Sequence, residues 1–243
     1  MSHAWVLAFV SGSVVVFGAS VQQLTGMGFA LVAAPGLVLL SGPAQGVVLA
    51  NCAVGVISAL GLVVTWRRVR LGAMVPLVLA GVATVPLGVW VAARLPDPWL
   101  MTGVGVSVCA AVACVLRGVR VPALRARRGA VAAGAVSGFM NSSAGVGGPA
   151  VSLYAVNAGW TVAEFVPNAR FYGVVVNAVS VVSKAPPALS RPQWATFTVA
   201  LAAGAVIGRV LARHMSEPVA GSVVLWLALG GGVVTLLKGL FAM

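Results

Sequence analysis

The sequence predicts an all-α polytopic membrane protein made of two inverted repeats of about five segments each, each opening with a broken or re-entrant helix pair. Three observations carry that expectation. Of 243 residues, 60% are apolar and only 7% charged, with a mean hydropathy of +1.08. A soluble domain carries about a quarter charged residues, so this chain lacks the polar surface to face water. The apolar residues fall in runs punctuated by Gly, Pro or charge, and the landmarks between the runs recur at a fixed offset along the chain.

The runs cover 4–21, 28–40, 45–65, 71–94 and 99–117, then 129–142, 147–158, 162–183, 192–212 and 219–238. A span needs about 20 apolar residues. The run 4–21 is marginal, while 28–40, 129–142 and 147–158 are short enough to read as half-helices or re-entrant segments. The short runs form two adjacent pairs. Between the first pair lies Gln22-Gln23-Leu24-Thr25-Gly26-Met27-Gly28, and between the second Asn141-Ser142-Ser143-Ala144-Gly145-Val146-Gly147-Gly148.

Gly26 and Gly28 match Gly145 and Gly147 at an offset of 119 residues, and Arg94-Leu95-Pro96-Asp97-Pro98 recurs as Arg213-His214-Met215-Ser216-Glu217-Pro218 at nearly the same offset. The chain therefore divides into a first membrane repeat, 1–118, a basic cytoplasmic linker, 119–128, and a second membrane repeat, 129–243.

Charge supplies the orientation. The net charge of +12 would suggest nucleic acid in a soluble protein, but here the basic residues occupy short loops between apolar runs, so no nucleic-acid partner is expected. Arg67, Arg68 and Arg70 fill one loop; Arg117, Arg120, Arg125, Arg127 and Arg128 fill another, and two spans separate them. Both loops then face the cytoplasm, joined there by Arg209 and Arg213, while Arg94, Lys184, Arg191 and Lys238 fall outside. Five segments per repeat invert the second half relative to the first and leave both termini outside. No basic residue precedes the first run, so a cleaved signal peptide is not expected. The tryptophans sit mostly at run ends, as interfacial anchors do. Cys52, Cys109 and Cys114 lie inside apolar runs with no C-x-x-C pair or nearby His, which points away from a disulfide, a metal or a cofactor.

The two Gly-rich breaks are where chemistry is expected. Backbone that leaves the helix inside a bilayer must be buried in protein or line a wet cavity, because each unpaired group costs several kcal/mol there. Helices that restart after such breaks aim N–H groups and a positive dipole end at the gap, a cradle for an anion. Candidate substrate-binding residues are Gln22, Gln23, Thr25, Gly26 and Gly28 in the first break and Asn141, Ser142, Ser143, Gly145, Gly147 and Gly148 in the second. The competing explanation is close packing by small residues, the role expected of Gly134/Gly138 and Gly204/Gly208.

The segments Gln22–Pro35 (QQLTGMGFALVAAP) and Gly134–Tyr154 (GAVSGFMNSSAGVGGPAVSLY) resemble the duplicated G-x-x-G-x-G-G-type motif of the TauE/SafE sulfite exporter family, also called the 4-toluenesulfonate uptake permease family. The likeness spans essentially the whole chain. The second motif matches well, and the first departs at Phe29, where a glycine is common. The resemblance implies carriage of a sulfur-containing anion, such as sulfite or an organosulfonate, across a prokaryotic plasma membrane.

Arg170 is the one basic residue expected at depth, and its guanidinium could fork onto two oxygens of such an anion. Snorkelling, or pairing with Glu164, is its alternative role. Asn51 occupies the position 119 residues earlier, so an Asn51/Arg170 pair is expected to flank the site from opposite repeats, and both join the substrate-binding candidates together with Tyr172. Tyr172, with Tyr154, is a candidate to assist a coupled proton, because no carboxylate or His falls in mid-span; Asn168 and Asn177 are weaker site candidates. The leading expectation is a secondary transporter with a small anionic substrate, a coupled proton as a further partner, and the lipid bilayer around it. An anion channel or a membrane subunit of a larger complex is the alternative. An intramembrane enzyme is disfavoured, since Ser142 and Ser143 have no His or Lys base at matching depth and no H-E-x-x-H is present. Oligomeric state stays open.

Overall fold

The computed structural model describes residues 2–26, 28–118, 127–211 and 217–243. They form ten α-helices, with no strand among them: α1 Ser2–Thr25, α2 Phe29–Ser41, α3 Pro43–Thr65, α4 Leu71–Arg94, α5 Asp97–Leu116, α6 Arg127–Ala144, α7 Gly148–Asn157, α8 Val162–Val182, α9 Arg191–Leu211 and α10 Glu217–Phe241. One helix thus stands for each apolar run. A single 3₁₀ turn, Trp66–Arg68, follows α3. Of the linker predicted at 119–128, residues 119–126 lie outside the described residues, and Arg127 and Arg128 open α6. Arg120, Arg125, Arg213 and His214 are likewise outside them.

Among the described residues, five helical stretches are long and apolar enough to cross a membrane: Pro43–Arg68, Leu71–Arg94, Asp97–Leu116, Val162–Val182 and Arg191–Leu211. At 1.5 Å rise per residue, the 10 residues of α7 and the 13 of α2 reach only about 15–20 Å. These are the half-helices that the short runs predict.

The helices preceding them run further than expected. The polar stretches do not interrupt α1 or α6; Gln22 to Thr25 complete α1, and Asn141 to Ala144 complete α6. Polar side chains leave a helix intact when they find partners: Gln22 and Asn141 find them in the interior, and Ser142 and Ser143 on their own helix. What stops each helix is a glycine with positive φ, Gly26 at 78° and Gly145 at 75°. In this left-handed region a Cβ is strained.

The main helix pairings are α4 with α6, α1 with α9, α3 with α8 and α5 with α10. Exchanging each helix for its counterpart five places along the chain returns the same set. Two clusters hold most of the buried core. One cluster joins α1, α2, α3 and α9, among them Val15, Phe29, Leu37, Ile57 and Leu201, with Val108, Val112 and Ala228 of α5 and α10. The other joins α6, α7 and α8 to α4, among them Ala133, Val151, Tyr172, Met74 and Leu77. The first body therefore draws on α1, α2, α3 and α5 from one half and α9 and α10 from the other, while the second draws on α6, α7 and α8 with α4.

Small residues make these contacts close. A Cβ on Gly134 or Gly138 of α6 would fall 2.1 Å from Leu77 O or 2.0 Å from Gly81 O on α4. On α9, a Cβ on Gly204 or Gly208 would fall 2.4 Å from Val16 O or 2.6 Å from Ser20 O of α1. Hydrogen bonds cross both seams, from Thr84 Oγ1 to Ala135 O at 2.8 Å and from Ser20 Oγ to Gly204 O at 3.0 Å. Between the two bodies, α3 and α8 run antiparallel: Gly61 faces Arg170, Ser58 faces Gly173 and Gly55 faces Asn177.

Candidate functional site

Each helix that ends at a break closes in the same way. Gly26 N–H donates to Gln22 O at 2.9 Å, and Gly145 N–H donates to Asn141 O at 3.0 Å. Gly26 lies against Val166 of α8, while Gly145 lies against Val47 of α3. All three correspondences keep the offset of 119.

The match extends to the side chains. Gln22 Nε2 donates to Ser58 Oγ at 3.0 Å; Asn141 Nδ2 donates to Asn177 Oδ1 at 3.1 Å and to Ser180 Oγ at 3.2 Å. Gln22 and Asn141 are counterparts, as are Ser58 and Asn177. All five of these residues are buried, with Gln22 4% and Asn141 6% exposed. Gln22 Oε1 also accepts the Phe29 N–H at 3.2 Å, tying the end of α1 to the start of α2. In the second half Ser137 Oγ donates to Gly147 O at 2.7 Å and ties α6 to the start of α7. Both half-helices have glycine N-caps, Gly28 and Gly147, so no cap side chain covers their first turns.

These two starts open onto one cavity of about 60 Å³. Its lining includes Gln22, Gly28, Ser58, Asn141, Gly147, Gly148, Tyr172 and Asn177, with Leu31, Val54 and Val115 as apolar wall. A single water needs roughly 10–15 Å³ by this kind of measure, so the space suits a few waters or one small oxyanion. Among the described residues, no carboxylate, Lys, Arg or His lines it. Two helix dipoles converge on a neutral, hydrogen-bonding lining, which favours negative charge. The Gln22 and Asn141 amides already bond to Ser58 and Asn177 of the same lining, so an incoming anion would exchange those partners for its own oxygens.

The other predicted residues take several positions. Gly26 and Gly145 form the turns but do not line the cavity. Thr25 ends α1, and its side chain is outside what is described. Ser142 and Ser143 turn back onto their own helix, to Gly138 O at 2.8 Å and Phe139 O at 2.7 Å, and line a different cavity. Arg170 stands beside the central cavity rather than in its lining. Its Nη1 donates to Gly61 O at 3.2 Å and its Nη2 to Gln23 Oε1 at 3.5 Å. Glu164 is not its partner: that carboxylate pairs with Arg70 and accepts the Thr161 N–H at 3.0 Å, closing a capping box at the start of α8. Asn168 accepts the Arg70 N–H at 2.8 Å at the same place.

Asn51, the counterpart of Arg170, donates from Nδ2 to Asn141 O at 3.3 Å, and its Oδ1 is buried without a partner. Each of these equivalent positions therefore reaches the broken helix of the opposite half. Tyr172 lines the cavity and donates from Oη to Gly134 O at 3.3 Å.

A protein-family model described as sulfite exporter TauE/SafE matches residues 11–238. The chain belongs to the sulfite exporter TauE/SafE family. No curated protein and no solved structure matches it. This TauE/SafE chain is thus a multi-pass membrane protein of a transporter family, and the matched range takes in both breaks.

Sequence reasoning missed Ser58, Ser137 and Ser180. The signal for Ser58 was present: it stands 36 residues after Gln22, as Asn177 stands 36 residues after Asn141.

Proposed function

We propose that this TauE/SafE protein is a secondary transporter that moves a small sulfur oxyanion of sulfite size by alternating access between two inverted halves. One observation carries the reading: the N-termini of α2 and α7, with the Gln22–Ser58 and Asn141–Asn177 pairs at matching positions, open onto a single cavity with no carboxylate, Lys, Arg or His among the described residues of its lining. Its size favours sulfite or methanesulfonate over an aryl sulfonate in this closed state. The antiparallel course of α3 and α8, which occupy equivalent places in the two halves, supports the inverted arrangement.

The bodies that move are centred on the two core clusters, one on α1–α3 and α9 with α5 and α10 against them, the other on α6–α8 with α4. They meet along α3 and α8 and through the reciprocal contacts of Asn51 and Arg170. Rocking one body against the other breaks the Arg170–Gln23 contact at one end or the Asn51–Asn141 contact at the other. With no carboxylate in the cavity, a coupled proton travels on the anion, with Tyr172 as the one ionisable group of the lining. The protein sits in the plasma membrane of a prokaryote with both termini outside.

The test is counterflow in proteoliposomes. Labelled sulfite should accumulate transiently in vesicles preloaded with unlabelled sulfite, saturate with concentration, and produce no single-channel conductance. Conductance without counterflow would establish the channel reading instead.

A further inference from the structure

Beside the central cavity lies a larger space of about 500 Å³. The half-helix α7 leads from one to the other. Gly148, Pro149 and Ser152, in its first turns, line the central cavity, while Pro149, Ser152, Leu153 and Val156 line the larger space. Those four recur at helical spacing and so share one face of α7. Val151 and Tyr154, on other faces, are packed into the second core cluster. Leu31 of α2 and Val115 of α5 also belong to both linings, so with Pro149 and Ser152 they form the partition between the two spaces.

The two spaces differ in chemistry. Ala111 and Cys114 of α5, Val136 and Met140 of α6 and Phe165 of α8 continue the wall of the larger one. Among the described residues no charged side chain lines it, and its hydroxyls are those of Ser107 and Ser152. Val115 and Val136 are each about half exposed, so the space is open at the flank of the bundle. Its volume lies within the range of about 300–1,000 Å³ typical of small-molecule sites, which are mostly apolar with a few polar groups at one end. Here the polar end is the central cavity, and an alkyl group lodged beside α7 is removed from water.

We propose that the protein binds amphiphilic anions with an unbranched alkyl tail, the sulfonate head in the central cavity and the tail passing Leu31 and Val115 into the space beside α7. The head group rests on the anion reading given above; the tail site is a separate claim about a separate set of residues. A ring bonded directly to sulfur would have to stand with the head in about 60 Å³, whereas a flexible chain crosses the partition one methylene at a time. The partition is itself apolar at Leu31, Val115 and Pro149, so the first carbons of the chain are desolvated there as well.

The test titrates methane-, ethane-, propane- and butanesulfonate calorimetrically into the full-length protein in phosphatidylcholine nanodiscs, with empty nanodiscs as the blank. Kd should fall about fourfold with each added methylene, the full value for moving that group out of water. Val136→Trp and Ala110→Phe fill the space from α6 and α5, at exposed positions that line it and not the central cavity. Both should flatten the series while leaving methanesulfonate within about twofold of wild type. Val199→Trp, on the exposed side of α9, should keep the wild-type series. A flat wild-type series, the result expected if a lipid chain holds the space, overturns the tail site. So does a series that stays steep in both filled variants, or one that Val199→Trp flattens equally. If methanesulfonate binds and exchanges but the series is flat, the tail site falls and the transport reading stands. If the series is steep and abolished by filling, yet no sulfonate or sulfite shows counterflow, the tail site stands and the transport reading falls.

Discussion

Adding one methyl group at Gly147 separates a binding role for the second break from a packing role. An alanine Cβ there would sit 2.7 Å from Asn141 Cβ, 2.7 Å from Ser137 O and 2.8 Å from Ser137 Oγ. Two of these atoms belong to the α6 backbone or its first side-chain carbon, so relief requires α6 and the start of α7 to part. Overpacking of this kind costs about 1–3 kcal/mol, and losing the bond from Ser137 Oγ to Gly147 O adds about 1 kcal/mol. Gly147→Ala should therefore destabilise by about 2–4 kcal/mol. Gly204→Ala is a matched control: its Cβ would meet Val16 O at 2.4 Å and Ala19 Cβ at 2.6 Å, and Gly204 O likewise accepts a serine hydroxyl, that of Ser20. Gly204 lies on the α1–α9 seam and not in the cavity lining.

Thermal melts in detergent should show comparable losses for the two variants. Labelled-sulfite binding, measured well below both melting temperatures, should fall at least tenfold for Gly147→Ala, about 1.4 kcal/mol, and stay within about twofold for Gly204→Ala. Equal losses of affinity, or wild-type affinity in Gly147→Ala, would refute the assignment of the break to the substrate.

Other substitutions address neighbouring parts of the argument. Asn141→Ala strands the Asn177 carbonyl and the Ser180 hydroxyl and should destabilise by about 2–4 kcal/mol while abolishing counterflow; Gln22→Ala, which releases both Ser58 and the Phe29 N–H, should act in parallel. Arg170→Ala should slow counterflow strongly while the protein still elutes as a folded species, and Arg170→Lys should restore it only in part, since one ammonium cannot span Gly61 O and Gln23 Oε1. Lys184 binds its proton less readily folded than unfolded, about 8 against 10.5, so stability should rise with pH across that interval; Lys184→Met should melt higher than wild type at pH 7, by on the order of 2–3 kcal/mol, and lose that advantage above about pH 10.5. A melting difference independent of pH would refute the charge as its cause.

The ten segments were legible because hydropathy and the Gly, Pro and Arg punctuation are local properties. The break glycines were legible because two copies occur at one spacing. What could not be read was the extent of α1 and α6. Gln22-Gln23 and Asn141-Ser142-Ser143 look like helix-ending polar stretches when their partners are out of sight, and Ser58, Asn177 and Ser180 lie 36 to 39 residues further on. The same limit applied to Arg170. Depth made it a ligand candidate, but its contacts with Gly61 and Gln23 come from two other helices, and Glu164 was already committed to Arg70.

Asn51 and Arg170 hold equivalent places, yet one is neutral and the other a cation. The protein's own electrical profile is therefore lopsided along the line joining its two broken helices, even with nothing bound. A resting potential works on such lopsidedness, at about 2.3 kcal/mol for each elementary charge carried through 100 mV.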